Sequence, residues 1–215
     1  TSRALMNYAK GIAPLESGGK TEWDNGNGSL MRILPVCLYL FERQKKVCTS
    51  ENESIYMIHA VSALTHAHVR SQMACGIYYF LVKAILEEEG SLEKRLQKGM
   101  ERAYQYYRQD LSNHRELENY KRLADLSEFK ETSKEGIKSS GYVVDTLEAA
   151  VWCLLHSHSY KETVMMAVNL GEDTDTIGAV AGRLAGLYYK EEGIPQEWIQ
   201  VIQRREWIEE VLQGV

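Results

Sequence analysis

Hydrophobic residues along most of the chain recur with the period of an α-helix rather than with the alternation of a strand. This spacing predicts a first long helix over 29–44, with Pro35 in its second turn, where proline removes a hydrogen bond and can kink the axis. It predicts further helices over 53–64 and 71–88, and another that begins at Ser91. Helices joined by short polar loops bury their apolar faces on one another, so we expect a compact all-α fold.

The middle of the chain, 92–138, differs in composition because it is strongly charged and rich in tyrosine. It is either a solvated helical excursion on the core, the more common arrangement, or a lid. Two compact helices are predicted after it, over 145–156 and 176–189. The tail PQEWIQVIQRREWIEEVL is typical of a closing amphipathic helix with Pro195 in its first turn.

Composition narrows the functional classes. With 215 residues, of which 44% are hydrophobic and 26% charged, the chain suits a single globular domain over 1–215 that buries a core without disulfides. The net charge of -5 argues against a nucleic-acid groove, which normally carries a basic patch, but allows a small anionic ligand. The sequence contains no apolar stretch long enough to cross a membrane.

The cysteines and the first residue add two expectations. Cys37, Cys48, Cys75 and Cys153 form no CxxC pair, which argues against a zinc site, and three of them lie in apolar runs where cysteine acts as a small core residue. A reducing, cytoplasmic setting fits this usage. The chain opens on Thr1 inside a segment with helical character, so we expect that an upstream segment is absent.

The stretch GEDTDTIGAVAGRLAGLYY places three oxygen donors, Asp173, Asp175 and Thr176, at the start of a predicted helix. Hard oxygen ligands suit Mg²⁺, Mn²⁺ or Ca²⁺, although each ion takes about six, so other donors are needed. Asp and Thr at a helix start are also ordinary caps, which is the more frequent explanation for such a segment alone. Behind the acids, one helix face lacks side chains and allows a neighbouring helix to approach closely, through Gly178, Gly182 and Gly186.

A glycine loop precedes the first long helix in the segment DNGNGSLMR. The loop 25–28 can adopt positive φ, and Ser29 is a good N-cap. Backbone N–H groups at such a loop can bind phosphate, although for this segment alone a turn followed by a cap is the more frequent explanation. Further on, LTHAHVRS carries His66 and His68, which could bind a metal or a sugar oxygen, but such a pair is more often structural.

The segment SSGYVVDTLEAAVWCLL combines a loop with a helix start. Asp145 and Glu148 are spaced as in a capping box, so we interpret Asp145 as a cap rather than a catalytic acid. Gly141 and Tyr142 lie in the preceding loop, where the aromatic ring could stack on a purine or be buried in the core.

In order along the chain, NGNGSLMR, LTHAH, GYVVDTLEAAVW and GEDTDTIGAVAG resemble the ADP-ribosylglycohydrolase family, which includes the dinitrogenase reductase-activating glycohydrolases. The resemblance runs from Asp24 to Tyr189 and is low across 92–138. It implies an orthogonal bundle of helices with a binuclear Mg²⁺ or Mn²⁺ centre in a cleft. It also implies metal-assisted hydrolysis of the glycosidic bond that links ADP-ribose to a protein or small-molecule acceptor.

The resemblance also implies residue roles. The metal ligands would be Asp173, Asp175 and Thr176, and the residues lining the ADP-ribose pocket would be Asn27, Gly28, Ser29, Met31, His66, Gly141, Tyr142 and Val143. We therefore expect Asp173 and Asp175 to share one cleft with the loop 26–29. The family's Thr-Asp-Asp motif and catalytic acid are absent here, so the catalytic residue is unassigned and expected in a missing N-terminal part. Two alternatives stay open: a shortened, non-catalytic ADP-ribose-binding relative, and a helical interaction protein whose motifs are only caps and turns.

Overall fold

Thirteen α-helices form the part of the chain that the computed structural model describes, residues 1–47 and 49–213. Within these residues no β-strand occurs, and backbone pairing outside the helices includes two isolated bridges, Gly19 with His66 and Gly26 with Tyr142. The all-α prediction is therefore confirmed. In chain order the helices are α1 Ser2–Ala9, α2 Pro14–Ser17, α3 Leu34–Val47, α4 Glu51–Ala63, α5 Val69–Glu87, α6 Leu92–Tyr107, α7 His114–Leu117, α8 Leu126–Lys130, α9 Val143–Leu155, α10 Tyr160–Val168, α11 Thr174–Tyr189, α12 Gln196–Gln200 and α13 Arg205–Gln213.

Two helices that are apolar on all sides lie at the centre of the fold. Every residue of α5 from Met73 to Ile85 is buried, and so is every residue of α9 except Asp145. A helix without a polar face has to be enclosed by its neighbours. Accordingly α4, α6, α9 and α11 all pack against α5. The loops that precede α5 and α9 are consequently held in place by the most buried elements of the molecule.

The glycine face predicted on α11 packs against α10. A Cβ atom on Gly178 would lie 3.1 Å from Val168, and one on Gly182 would lie 3.2 Å from Val164. The missing side chains thus allow a close helix–helix approach, as the spacing indicated. The partner, α10, was not among the predicted helices, because it is short and follows a polar turn.

Two predicted helices are interrupted in the structure. The first is not continuous over 29–44, because Leu30–Arg32 forms a 3₁₀ turn before α3 begins. Pro35 then lies in the first turn of α3, where its missing N–H costs no hydrogen bond, so the expected second-turn kink is wrong. The tail is likewise split into α12 and α13, with Arg204 between them at a φ of 55°.

The charged segment 92–138 shares its apolar residues with the common core. On α6 the buried side chains include Leu96, Met100 and Tyr107, while the charged residues of the same helix are exposed or half-buried. Further along the segment Tyr120 and Leu123 are fully buried as well. The buried tyrosines of this segment therefore serve packing.

Residues 1–47 and 49–213 allow a test of the predictions on cysteines and on membrane-spanning helices. Cys37, Cys75 and Cys153 are free and buried, which confirms their role as small core residues. Cys48 lies outside the described residues. No helix in this part of the chain is long and apolar enough to cross a bilayer.

Candidate active site

The glycine loop and the loop before α9 are joined by backbone hydrogen bonds. The N–H of Asn27 donates to the carbonyl of Gly141 over 3.0 Å, and the N–H of Val143 donates to the carbonyl of Asn25 over 2.9 Å. These two bonds flank the isolated antiparallel bridge between Gly26 and Tyr142. The two loops thus form one surface, although they are far apart in the sequence.

His66 packs against the glycine loop and is 8% exposed. A Cβ atom on Gly28 would lie 3.0 Å from its Cε1 atom, so the glycine is needed for this approach. Its Nδ1 atom lies 2.8 Å from the hydroxyl of Thr65. Burial, together with the neighbouring Arg32, lowers the pKa of His66 to about 4. The imidazole is therefore neutral at pH 7 and can donate or accept a hydrogen bond there.

The acidic end of α11 meets the glycine loop through side chains. The amide Nδ2 of Asn27 donates to Asp173 Oδ2 over 2.6 Å, across 146 positions of sequence. The same nitrogen donates to Thr146 Oγ1 over 2.8 Å. Thr176 Oγ1 donates to Asp173 Oδ1 over 3.0 Å. A Cβ atom on Gly141 would lie 3.3 Å from Asp173 Oδ2, so this glycine also leaves room for the carboxylate.

The Asp173 carboxylate does not cap its own helix. Asp173 occupies the N-cap position of α11, but its side chain makes no capping hydrogen bond. Burial alone would raise the pKa of Asp173, yet hydrogen bonds from Asn27 and Thr176 outweigh it and lower the pKa below its usual value. The turn before it contains Glu172 at a φ of 43°, a left-handed conformation that non-glycine residues seldom adopt. The carboxylate is thus ionised and directed at the glycine loop from a strained turn.

The chemistry of this cluster suits part of a hard-cation site. Asp173 and the exposed Asp175 supply carboxylate oxygens, and Thr176 supplies a hydroxyl. Mg²⁺ and Mn²⁺ prefer such oxygen donors but take about six of them. Within residues 1–47 and 49–213, no group of three or more His, Cys, Asp or Glu side chains is arranged to hold a metal ion. The residues therefore fit one side of a coordination shell and require further ligands.

A cavity of about 450 Å³ lies beside the joined loops. It is lined by Glu22, Trp23, Asn25, Gly26, Arg70, Gly141 and Tyr142. Trp23 is 94% exposed at this cavity, so its ring is available to a ligand. The hydroxyl of Tyr142 accepts a hydrogen bond from Arg70 over 3.0 Å, which fixes the second aromatic ring. Two aromatic rings and an arginine therefore border a space suited to a planar, polar group.

The remaining expected site residues take different positions. Ser29 is completely buried, backbone included, so it does not line the surface of the loop. Met31 is partly exposed, and its sulfur lies 3.8 Å from the Thr176 hydroxyl. Val143 is buried and contributes its backbone N–H to the loop pairing. His68 is the N-cap of α5, where its Nδ1 accepts a hydrogen bond from the N–H of Arg70. Its role is therefore structural, which is the more frequent of the two roles considered for this histidine pair.

The capping box predicted at Asp145 and Glu148 is wrong. Tyr142 is the N-cap residue of α9, and Asp145 instead accepts a hydrogen bond from the Ser140 hydroxyl over 2.6 Å. Glu148 is buried and forms an ion pair with Arg122. The pattern failed because the partner of Glu148 comes from another segment rather than from its own helix start.

Several residues at the site were not predicted from the sequence, among them Trp23, Arg70, Thr146 and Arg32. Arg70 was detectable as a lone cation in the first turn of an otherwise apolar helix. Thr146 had no distinguishing pattern, because threonine is unremarkable in a helix. Arg32 lies four residues after Gly28, and it closes the glycine loop by donating to the Gly28 carbonyl over 2.8 Å.

Comparison with known proteins points to one family. The sequence profile described as ADP-ribosylglycohydrolase matches residues 1–215. An ADP-ribosylarginine hydrolase of Pseudomonas putida (strain GB-1) is 29% identical over 191 residues, which is 87% of this chain and 45% of the relative. An ADP-ribosyl-dinitrogen reductase glycohydrolase of Rhodospirillum rubrum is 28% identical over 197 residues, or 92% of this chain and 55% of the relative.

A solved structure gives the same result at the level of the fold. A chain described as an ADP-ribosylglycohydrolase-related protein complex matches with a TM-score of 0.74 and 30% sequence identity. The match covers 97% of this chain and 65% of the other. The chain thus spans about half the length of the curated relatives named above.

Proposed function

Because the chain belongs to the ADP-ribosylglycohydrolase family, we propose that it binds ADP-ribose and hydrolyses the glycosidic bond between ADP-ribose and an acceptor, assisted by a divalent metal ion. The observation that carries this proposal is the hydrogen bond from Asn27 to Asp173, which joins the glycine loop to the acidic end of α11. A phosphate-binding loop and a hard-oxygen cluster in contact suit a ligand that has both a diphosphate and a sugar diol.

Each part of the site has a proposed role. The partly exposed Gly26 and Gly28 of the loop face the diphosphate, since the Asn27 N–H donates to Gly141 and Ser29 is buried. Tyr142 and Trp23 flank the planar base. When bound at Asp173, Asp175 and Thr176, Mg²⁺ or Mn²⁺ supplies positive charge next to the sugar oxygens. Asn27 holds the Asp173 carboxylate in place from the opposite side, so that this ligand needs little rearrangement.

The second candidate is binding without turnover. It is favoured by the donor set, since two carboxylates and one hydroxyl provide fewer ligands than even one hard cation takes. None of the described residues is assigned as the group that activates water. The identity of the acceptor, whether a protein side chain or a small molecule, is part of neither proposal.

Substitution of the acidic cluster tests the metal assignment. We expect Asp175→Asn to weaken Mn²⁺ binding at least tenfold, measured by electron paramagnetic resonance of free Mn²⁺, because a carboxylate ligand becomes a neutral amide. The melting temperature should change little, since Asp175 is exposed. Glu172→Gln, an exposed acid in the same turn, is the matched control for lost charge. Equal Mn²⁺ affinity in all three proteins would remove the metal site from the proposal.

Turnover is tested separately by release of free ADP-ribose from an ADP-ribosylated substrate. We expect EDTA to suppress whatever release the chain supports. Binding of ADP-ribose without release would favour the second candidate, and release that EDTA does not affect would contradict metal assistance.

A further inference from the structure

We propose that Arg70 is a positioning residue of the candidate site. By binding the side chains of Tyr142 and Glu22, it fixes the paired segments 25–27 and 141–143 relative to each other. The proposal rests on the proposed function only for the identity of the ligand. The arrangement itself follows from the contacts of one guanidinium group.

The Arg70 side chain joins three separate segments. Its Nε donates to Glu116 Oε2 over 2.7 Å, and one terminal nitrogen donates to the Tyr142 hydroxyl over 3.0 Å. The other terminal nitrogen reaches Glu22 Oε1 over 3.4 Å. Arg70 is only 9% exposed. Because guanidinium donors are fixed in one plane, the three partners constrain one another's positions.

Arg70 is itself held from the charged segment 92–138. The Tyr120 hydroxyl donates to the Arg70 carbonyl over 2.6 Å in the buried interior. Glu116, which accepts from the guanidinium, is mostly buried and also accepts from Asn119 over 3.2 Å. The backbone and the side chain of Arg70 are therefore both held by residues of the segment 92–138, which lie away from the cavity. A residue held in this way can fix the positions of the loops that it contacts.

The next residue of α5 completes the arrangement. Ser71 Oγ donates to Asn25 Oδ1 over 2.9 Å, and both side chains are buried. Consecutive residues of one helix thus hold the two sides of the Gly26–Tyr142 bridge, with Ser71 on the Asn25 side and Arg70 on the Tyr142 side. Loosening Arg70 should therefore weaken the two backbone hydrogen bonds between the loops, at the N–H groups of Asn27 and Val143.

An ordinary stabilising ion pair is the competing explanation, and the molecule contains a matched example. Arg122 pairs with the buried Glu148 and so also connects the charged segment to α9. Arg122 also donates to the carbonyl of Gly136, and it does not line the cavity beside the loops. An Arg122→Lys variant therefore controls for the loss of a forked ion pair at equal charge.

The experiment compares Arg70→Lys, Arg122→Lys, Tyr142→Phe and the Arg70→Lys/Tyr142→Phe double variant. Native-state hydrogen exchange of the Asn27 and Val143 amides is measured without ligand, and the Kd for ADP-ribose is measured by calorimetry. We expect Arg70→Lys to accelerate exchange at both amides at least tenfold and to raise the Kd at least tenfold. Arg122→Lys should lower the melting temperature comparably while both amides stay within twofold. The double variant should show the same exchange rates and Kd as Arg70→Lys, because both substitutions remove the hydrogen bond between Arg70 and Tyr142.

Several results would overturn the inference. Unchanged exchange in Arg70→Lys, or equal acceleration in Arg122→Lys, would reduce Arg70 to a structural ion pair, and additive effects in the double variant would show that it does not act through Tyr142. If Arg70→Lys does not fold, Glu116→Gln tests the same network from the other end with the same expected acceleration. Failure of the wild-type chain to bind ADP-ribose would refute the proposed function, while the exchange rates would still decide the role of Arg70.

Discussion

Among single residues, Glu148 has an unusual electrostatic environment. It is 5% exposed, and burial raises its pKa to about 7 although Arg122 acts in the opposite direction. In the unfolded chain the carboxyl has its ordinary pKa of 4.5. Between these two values the folded protein binds more protons at this site than the unfolded chain does. This site therefore contributes stability that is present below pH 4.5 and is lost as the pH rises through 7.

A Glu148→Gln variant tests this assignment. Glutamine cannot ionise, so the stability of wild type relative to the variant should fall by on the order of 2 kcal/mol between pH 4.5 and 7.5. Urea unfolding at both pH values measures it. His59 and His66, whose pKa values burial lowers to about 4, are present in both proteins and cancel in the difference. Glu131→Gln, an exposed acid of the charged segment 92–138, controls for the lost charge. Parallel curves for wild type and Glu148→Gln would contradict the assignment.

At the scale of elements, missing side chains shape the contact between α5 and α6, and Gly76 is one of them. A Cβ atom on Gly76 would lie 1.8 Å from the Tyr107 hydroxyl and 3.0 Å from its Cζ atom. Tyr107 cannot move aside easily, because it is fully buried and its hydroxyl is 2.8 Å from His59 Nε2. The glycine therefore leaves the space that the Tyr107 hydroxyl occupies.

We predict that Gly76→Ala lowers the free energy of unfolding by about 2–4 kcal/mol, because overpacking and a broken buried hydrogen bond exceed the gain in helix propensity. Denaturant unfolding measures the loss. Tyr107→Phe in the same chain should recover part of it, since the clashing hydroxyl is gone. Gly186→Ala is the control, because its Cβ would lie an ordinary 3.7 Å from Tyr160, and this variant should be neutral or slightly stabilised. Equal losses at both glycines would contradict the argument.

For the molecule as a whole, the candidate site exists only in the folded chain. It is assembled from the loops 25–28 and 139–143, from His66, and from the start of α11. A ligand that binds there stabilises the folded state without affecting the unfolded one. We therefore expect ADP-ribose at ~100 times its Kd to add about 2.7 kcal/mol to the free energy of unfolding.

Thermal unfolding with and without ADP-ribose measures this effect, with Mg²⁺ present in one series. Ser29→Ala should keep most of the shift, because that side chain is buried away from the loop surface and the backbone N–H is retained. Asn27→Leu should lose most of it, because the link to Asp173 is removed. If ADP-ribose shifts the unfolding of Asn27→Leu as much as that of wild type, the ligand binds elsewhere. If it causes no shift in wild type, the ligand does not bind.

The sequence by itself determined the features that depend on local periodicity. The apolar spacing located α4, α5, α9 and α11 to within a few residues at each end. Residues three and four positions apart lie on the same face of a helix, so a buried face leaves this spacing in the sequence. Glycine spacing on α11 identified a close helix contact for the same reason. Local spacing misled at the tail, where the helix is broken between Gln200 and Arg205 and Arg204 has a positive φ that no pattern indicated.

Only the tertiary structure decided which residues meet. Asn27 and Asp173 are 146 positions apart, and Glu148 finds its partner 26 positions upstream rather than at its own helix start. Arg70 became a candidate only when Glu116, Tyr142 and Glu22 were seen around it. Periodicity records which face of a helix is buried, but it contains no information on which neighbour covers that face. The site is made of such pairings, so its motifs could be found in the sequence while its hydrogen bonds could not.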